Sequence, residues 1–412
     1  MKDEVGIRPL QIELLTPLWT ANAEKKGGNI LETGILGSLR WWYEAILRGL
    51  GFHVCDPSQR ACLYNGKSKL ASICPACQLF GCTGYSRRFR LVISEDNNSN
   101  TGELLEIKLS NPGSSEHRGW RIPAEKSAEP LRLSLLHMRH GGLREVERTS
   151  LHYTLRLIER YGALGAKTSQ GQGVIRVKDW GDDLPVSMDF DKWYDVLDKK
   201  ERLKQEPEAH ESDTENDTSK KAISLPDIRN LVGATVILED AKLTSEEIWP
   251  KLGLTANTAN YRRWLPVATT NWLPSAPAVR AQLRQRLRAP SNFSRYDEET
   301  LAIERHRIMG TTNSPWGDPY LKIVDKTSKD RPKGSDVFVT HLYRDSCNQQ
   351  WTMRIFGFIP RDGNEADKAL RMLLTDTNRL KTEVQAALGG LAVRIALYPA
   401  DIMGLLVEGG KG

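Results

Sequence analysis

The chain has 412 residues, 39% of them apolar and 27% charged, with a formal net charge of +6; that length exceeds one ordinary core and predicts two domains. Five of its six cysteines fall between Cys55 and Cys82, so they do not form a chain-wide disulfide framework. No apolar run is long enough to span a membrane, and the start MKDEVGIRPLQIELLTPLW lacks the apolar stretch of a secretory signal, so a cytoplasmic location is expected.

IRPLQIELL (7–15) predicts a first strand, with Pro9 near its start where a missing donor is tolerated. TGILGSLRWWYEAILRGLG (33–51) predicts a helix with Thr33 as N-cap and Gly51 as stop. Ile35, Leu36, Leu39, Trp42, Tyr43, Ile46, Leu47 and Leu50 form its apolar stripe. Arg40, Glu44 and Arg48 flank that stripe, and Trp41 lies outside it. Strands are predicted at 88–94, 103–109 and 130–136, with a loop between the last two. A helix over 150–162 leads through GALGAKTSQGQG (162–173) into the strand VIRV. Strand, helix, strand, strand, helix, strand is the order of a ferredoxin-like domain.

Residues 198–222 have no periodicity, and their core QEPEAHESDTEND is acidic, which predicts a linker or disordered insertion. Beyond it, strands are predicted at 229–238, 335–343 and 351–359, then a helix over 364–388. ALGGLAVRIALYP (387–399) echoes ALGAKTSQGQGVIRV (163–177). The expectation is an α+β protein of two tandem ferredoxin-like, RRM-like domains with insertions. Their bounds are 1–182 and 226–412, with the linker at 183–225.

CPAC, at Cys74 and Cys77, has Cys82 after it and Cys62 and Cys55 before it. Four thiolates from this group can bind zinc tetrahedrally, and Cys62, Cys74, Cys77 and Cys82 are the expected set. The competing reading is five reduced cysteines packed in a loop. A zinc ion held by four thiolates has no open position, so its role would be structural. The loop then presents Arg87, Arg88 and Arg90, with Arg88 and Arg90 sharing a strand face, either to RNA or simply to solvent.

GALGAKTSQGQG is neither a Walker A loop nor a dinucleotide fingerprint, because a strand follows it. Its backbone can approach phosphates closely. Lys167 supplies charge, and Thr168, Ser169, Gln170, Gly171 and Gln172 supply hydrogen bonds and room. A glycine-rich turn without ligand is the plainer alternative. Residues 248–296 carry cations and no acid. Within them, PAVRAQLRQRLR (277–288) predicts a helix with Arg280, Arg284 and Arg288 in a ridge, suited to a phosphate backbone or an acidic partner. ERHRIMG (304–310) adds Arg305 and His306. His152, His306 or His341 could serve a metal-independent ribonuclease, but no pair is indicated by spacing. No zincin, serine-hydrolase or paired-acid motif is present, so no enzyme is expected.

ILETGILGSLRWWYEAILRGLG, CPACQLFGCTGYSRRFRL and GALGAKTSQGQG together resemble the RAMP superfamily of CRISPR proteins. LTPLWT followed by RWWYEA is similar to the first RAMP subunit of type III-B, or Cmr, effector complexes. The resemblance implies a noncatalytic, antiviral RNA-binding subunit near the guide crRNA 3′ end that helps capture target RNA. It also implies other Cmr RAMP subunits and the backbone filament as partners, with no membrane. Carried over, it brings Arg40, Trp41 and Trp42 from the helix, Lys167 to Gly171 from the glycine loop, and Arg87 and Arg88 from the cysteine-rich stretch. A CRISPR RNA-processing endonuclease and a protein-docking scaffold without RNA contact are the alternatives.

Overall fold

The computed structural model describes residues 8–20, 30–56, 61–67, 69–94, 104–109, 118–123, 130–138, 142–184, 190–201, 225–256, 271–287, 298–310, 334–344 and 349–400. The first domain runs through β1 (Leu10–Leu14), α1 (Glu32–Gly49), α2 (Pro75–Phe80), β2 (Phe89–Ile93), β3 (Leu104–Leu109) and β4 (Arg118–Pro123). It continues with β5 (Leu131–His137), α3 (Glu145–Tyr161) and β6 (Ile175–Asp179). Its antiparallel sheet has the order β2-β5-β1-β6. That is the ferredoxin-like arrangement once α2 and the β3–β4 hairpin are set aside as insertions.

Alternation along the strands buries Leu10, Ile12 and Leu14 of β1, Phe89 and Leu91 of β2, and Leu131 and Leu133 of β5. These pack with Ile35, Leu39, Ile46, Leu155 and Ile158 from α1 and α3 in one core. Helix α1 begins before the expected Thr33 cap. The Leu31 N–H donates to Thr20 Oγ1 at 2.8 Å, so the preceding loop supplies the cap. Gly51, at φ 85°, ends it as expected. Strand β4 forms within the stretch read as loop, where it pairs with β3 along six residues.

Helix α4 (Phe190–Glu201) occupies part of the expected linker. Its Trp193 and Leu197 are buried one turn apart, and Trp193 Nε1 donates to Ser150 Oγ of α3 at 3.0 Å. The acidic core of that linker, 205–217, lies outside the described residues.

The second domain contains β7 (Leu231–Leu238), α5 (Ser245–Ile248), β8 (Leu254–Ala256), β9 (Trp272–Leu273), α6 (Ala276–Arg286) and α7 (Glu298–Met309). After these come β10 (Val337–Val339), β11 (Leu342–Arg344), β12 (Trp351–Phe358), α8 (Glu365–Thr375), α9 (Thr377–Ala387) and β13 (Val393–Leu397). The sheet order is β13-β7-β12-β11-β9, with β10 also on β12. With β10 and β11 sharing the second-strand position, β13-β7-β12 repeats the order of the first sheet, and the two folds are tandem copies of one plan. The α3-to-β6 and α9-to-β13 connections are equivalent in the two domains, which is where the internal sequence echo lies.

The strand expected over 335–343 breaks between β10 and β11. There the His341 N–H donates to the Gly171 carbonyl at 2.9 Å, and the Leu342 N–H to Ser275 Oγ at 2.8 Å. The helix expected over 364–388 splits at Asp376, whose carboxylate accepts from the Asn378 and Arg379 N–H groups and starts a new helix.

The domains are joined by more than the chain. Strand β3 pairs with β8. Arg354 of β12 donates to the carbonyls of Ile158, Glu159 and Gly162 at the end of α3, where the Ile158 carbonyl also accepts from the Gly162 N–H. Trp41, outside the stripe predicted for α1, packs edge-on against Phe358 at 5.1 Å and Phe338 at 6.0 Å. Helix α1 thus carries two apolar faces because it contacts both domains. Among the described residues, no helix is long and apolar enough to cross a membrane.

Candidate nucleic-acid interface and cysteine centre

The cysteine-rich segment folds back over α1. Cys55 follows the helix, Cys62 lies on the next loop, and Cys74 and Cys77 lie at the start of α2. Their sulfur atoms all fall within 4.8 Å of one another. Cys55 Sγ is 3.5 Å from Cys77 Sγ and 3.7 Å from Cys74 Sγ. Four thiolates around one zinc at about 2.3 Å require sulfur separations of about 3.8 Å, so the cluster is geometrically compatible with a structural zinc site. Hydrogen bonds from the Cys74 and Cys77 thiols hold the Cys62 thiol down at about 4, against burial. The Cys77 thiol is pushed up by Cys62, Cys74 and its own burial.

One expected ligand is corrected. Cys55, not Cys82, completes the set. Gly81, at φ 85°, reverses the chain after α2, and Cys82 then exchanges backbone hydrogen bonds with Tyr85 in a half-exposed turn. The CxxC spacing gave two of the four ligands. Cys55 was in view but lies far from that pair in sequence and is brought in only by the chain reversal after α1.

Several arginines expected to face RNA face the protein instead. Arg40 donates to Glu44 Oε1 at 2.8 Å, the Gly81 carbonyl at 2.9 Å and Cys77 Sγ at 3.3 Å. Arg88 does not share a face with Arg90. It pairs with Glu147 of α3 at 2.9 Å, and both side chains are largely buried. Arg280 is the clearest correction, being buried in the second domain. It donates to the carbonyls of Val337 at 2.9 Å and Met309 at 2.8 Å. Burial and the neighbouring Arg284 push its guanidinium down to about 10. The ridge on α6 is therefore not a row of surface cations, because its first member is an internal brace. Arg284 and Arg305 are half-buried, and Arg87 is half-exposed. Arg288 and the side chain of His306 lie outside the described residues.

The glycine loop is a docked turn. Lys167 adopts a left-handed φ of 55° and opens a short 3-10 turn, Thr168–Gln170, ended by Gly171 at φ 110°. The Lys167 ammonium sits 3.5 Å from the centre of the Trp19 ring, and partial burial lowers its pKa. Thr168, Ser169 and Gln170 are half-exposed beside it. A Cβ on Gly171 would lie 2.3 Å from the His341 ring, so glycine is required by both conformation and contact.

The first sheet offers a surface that the sequence pattern did not single out. Opposite the helices, its strands present Gln11, Glu13, Arg90, Val92, Arg132, Ser134, Leu136, Arg176 and Lys178. Arg90, Arg132 and Lys178 are exposed. Gln11 lies across from Arg132, and Glu13 across from Arg176, while Lys178 Nζ is 2.9 Å from Glu13. Asp179 lies across from Gln11 as well, so four cations stand against two carboxylates; the face keeps a positive excess and, among the described residues, its strands carry no aromatic ring there. Period-two alternation could have found it, because each of these cations sits opposite the buried series of its own strand.

Residues 11–176 match the family model of the RAMP superfamily. The sequence resemblance pointed to the same family from the α1, cysteine and glycine-loop motifs. No curated protein matches the chain. Among solved structures, the chain is similar to the apo form of Cmr1 from Pyrococcus furiosus at 11% identity and a TM-score of 0.38, covering 95% of this chain and 98% of that one. It is similar to a chain of the type III-B Cmr-beta complex bound to cognate target RNA and AMPPnP in the presence of ssDNA. There the identity is 13% and the TM-score 0.40, covering 89% of this chain and 98% of that one. For Cmr-beta bound to cognate target RNA the figures are 11% and 0.40, covering 93% and 99%.

The first domain's His152 and the second domain's His341 are both buried. His152 packs on Trp180 at 4.1 Å, and burial together with Arg156 pushes it down to about 4. Burial alone pushes His341 to about 3. Neither imidazole reaches the surface.

Proposed function

We propose that this chain is a noncatalytic RNA-binding subunit of a type III-B CRISPR (Cmr) effector complex, placed near the guide RNA 3′ end and helping to capture target RNA. The observation that carries the RNA-binding part is the face of the first sheet opposite its helices, where Arg90, Arg132, Arg176 and Lys178 outnumber Glu13 and Asp179. A face that is cationic and without aromatics suits the phosphate backbone, and it holds RNA with little sequence preference. The half-exposed glycine turn, with Lys167 at its head, adds a second contact. Placement in the complex, and the partnership with crRNA, target RNA and neighbouring Cmr subunits, follow from the motif resemblance. The buried positions of His152 and His341 favour binding over cleavage.

Salt-titrated binding of the purified chain to single-stranded RNA, with the RNA recovered afterwards, tests this. Binding of intact RNA that weakens with salt, and weakens further in Lys167→Ala, is expected. Metal-independent cutting would establish the endonuclease instead. An absence of binding at low salt, with crosslinks confined to neighbouring subunits, would establish the scaffold.

A further inference from the structure

The cysteine centre lies apart from the proposed RNA face, and on α1 beside it two arginines share one carboxylate. Arg40 and Arg48 both reach Glu44, at 2.8 and 3.4 Å, so one largely buried carboxylate serves two guanidinium groups. Arg48 spends a further donor on the Pro226 carbonyl at 3.0 Å, whereas Arg40 turns toward sulfur, 3.3 Å from Cys77 Sγ. A surplus cation held in a partly buried place is costly unless an anion stands beside it. One divalent ion with four thiolates supplies two negative charges where Arg40 points.

We propose that Cys55, Cys62, Cys74 and Cys77 hold one zinc ion and that Arg40 is the outer partner of that centre. Soft thiolates select zinc or iron over magnesium or calcium, and sulfur atoms gathered within 4.8 Å leave room for a single ion. The same sulfurs stand well beyond the roughly 2.05 Å of a disulfide bond. The ion ties three segments together: the chain after α1, the loop at Cys62 and the start of α2. Through Arg40, which also holds the Gly81 carbonyl, it fixes the turn that leads into β2 and so positions Arg90. Its role is structural, and it does not depend on which RNA the protein binds.

Elemental analysis of the full-length protein purified without added metal tests the assignment. One zinc per chain is expected, released by a mercurial titrant as four thiols react. Cys82→Ser should keep the zinc and Cys55→Ser should lose it. Arg40→Gln should keep the fold while weakening zinc affinity about ten- to a hundredfold in a chelator competition. The Arg40 and Cys82 variants keep the test decisive where Cys55→Ser fails to fold. The proposal is overturned by metal-free protein with reactive thiols, by two disulfides in place of the ion, or by iron, which would colour the protein. Loss of zinc from Cys82→Ser but not from Cys55→Ser would also overturn it. None of these outcomes depends on RNA, so this inference and the RNA-binding proposal stand or fall separately.

Discussion

The two ferredoxin-like domains share a strand order, and the sheet face of the first and the interior of the second use arginine in opposite ways. In the first, Arg90 and Arg132 stand exposed on the face of the sheet opposite the helices. In the second, Arg280 braces carbonyls inside the domain, and Arg307 joins Glu304 and Asp367 at 2.6 and 2.7 Å. Arg354 closes the end of α3 across the domain boundary. The acid-free cationic run at 248–296 therefore includes an internal brace, and a sparser set on alternating strand positions makes the charged surface. Cation density along a chain measures how much charge must be placed, and the fold decides where it goes.

That contrast can be broken at its buried end first. Arg280→Ala removes a buried donor to two backbone carbonyls and should destabilise the protein by about 3 kcal/mol, read as a lower urea midpoint. A change below about 0.5 kcal/mol, the ordinary range for a surface site, would place Arg280 outside the core. Next is the joint between the domains. Gly171→Ala forces a side chain into a left-handed position against His341 and should cost about 2 kcal/mol. A neutral result would mean that the turn is not docked on the second domain.

His341 gives a smaller, pH-dependent effect. Its pKa of about 3 in the folded protein lies below its ordinary 6.5, so between those values only the unfolded chain binds the proton. Its contribution to stability is full above 6.5 and is lost as pH falls toward 3, with a slope of up to about 1.4 kcal/mol per pH unit. Carboxylates add their own slope, so the comparison is with His341→Gln, which should flatten the dependence between pH 4 and about 6.5. Parallel curves would show that His341 titrates normally.

Much of the fold was legible in the sequence because its elements follow simple periods. The α1 stripe, the alternation in β2 and β5, and the repeated helix-end-to-strand connection all reported the tandem plan. What escaped depends on contacts distant in sequence. Thr20 caps a helix that seemed to cap itself at Thr33. Trp41 looked surplus to its helix until the second domain supplied Phe358. Cys55 entered the cysteine centre because the chain turns back after α1, whereas Cys82, nearer to CPAC in sequence, is held in a turn. Arg88 was read by strand alternation, but it precedes the first residue of β2 and meets Glu147 instead.

The most direct test of the contrast between the domains is the salt dependence of single-stranded RNA binding by wild type and by the double variant Arg90→Ala, Arg132→Ala. Both side chains are exposed, so stability should change by less than about 0.5 kcal/mol. Two lost phosphate contacts should make the slope of log affinity against log salt shallower by about 1.4, at roughly 0.7 per contact on a single strand. An unchanged slope and affinity in a variant of normal stability would contradict the account and move the RNA surface off that face of the first sheet.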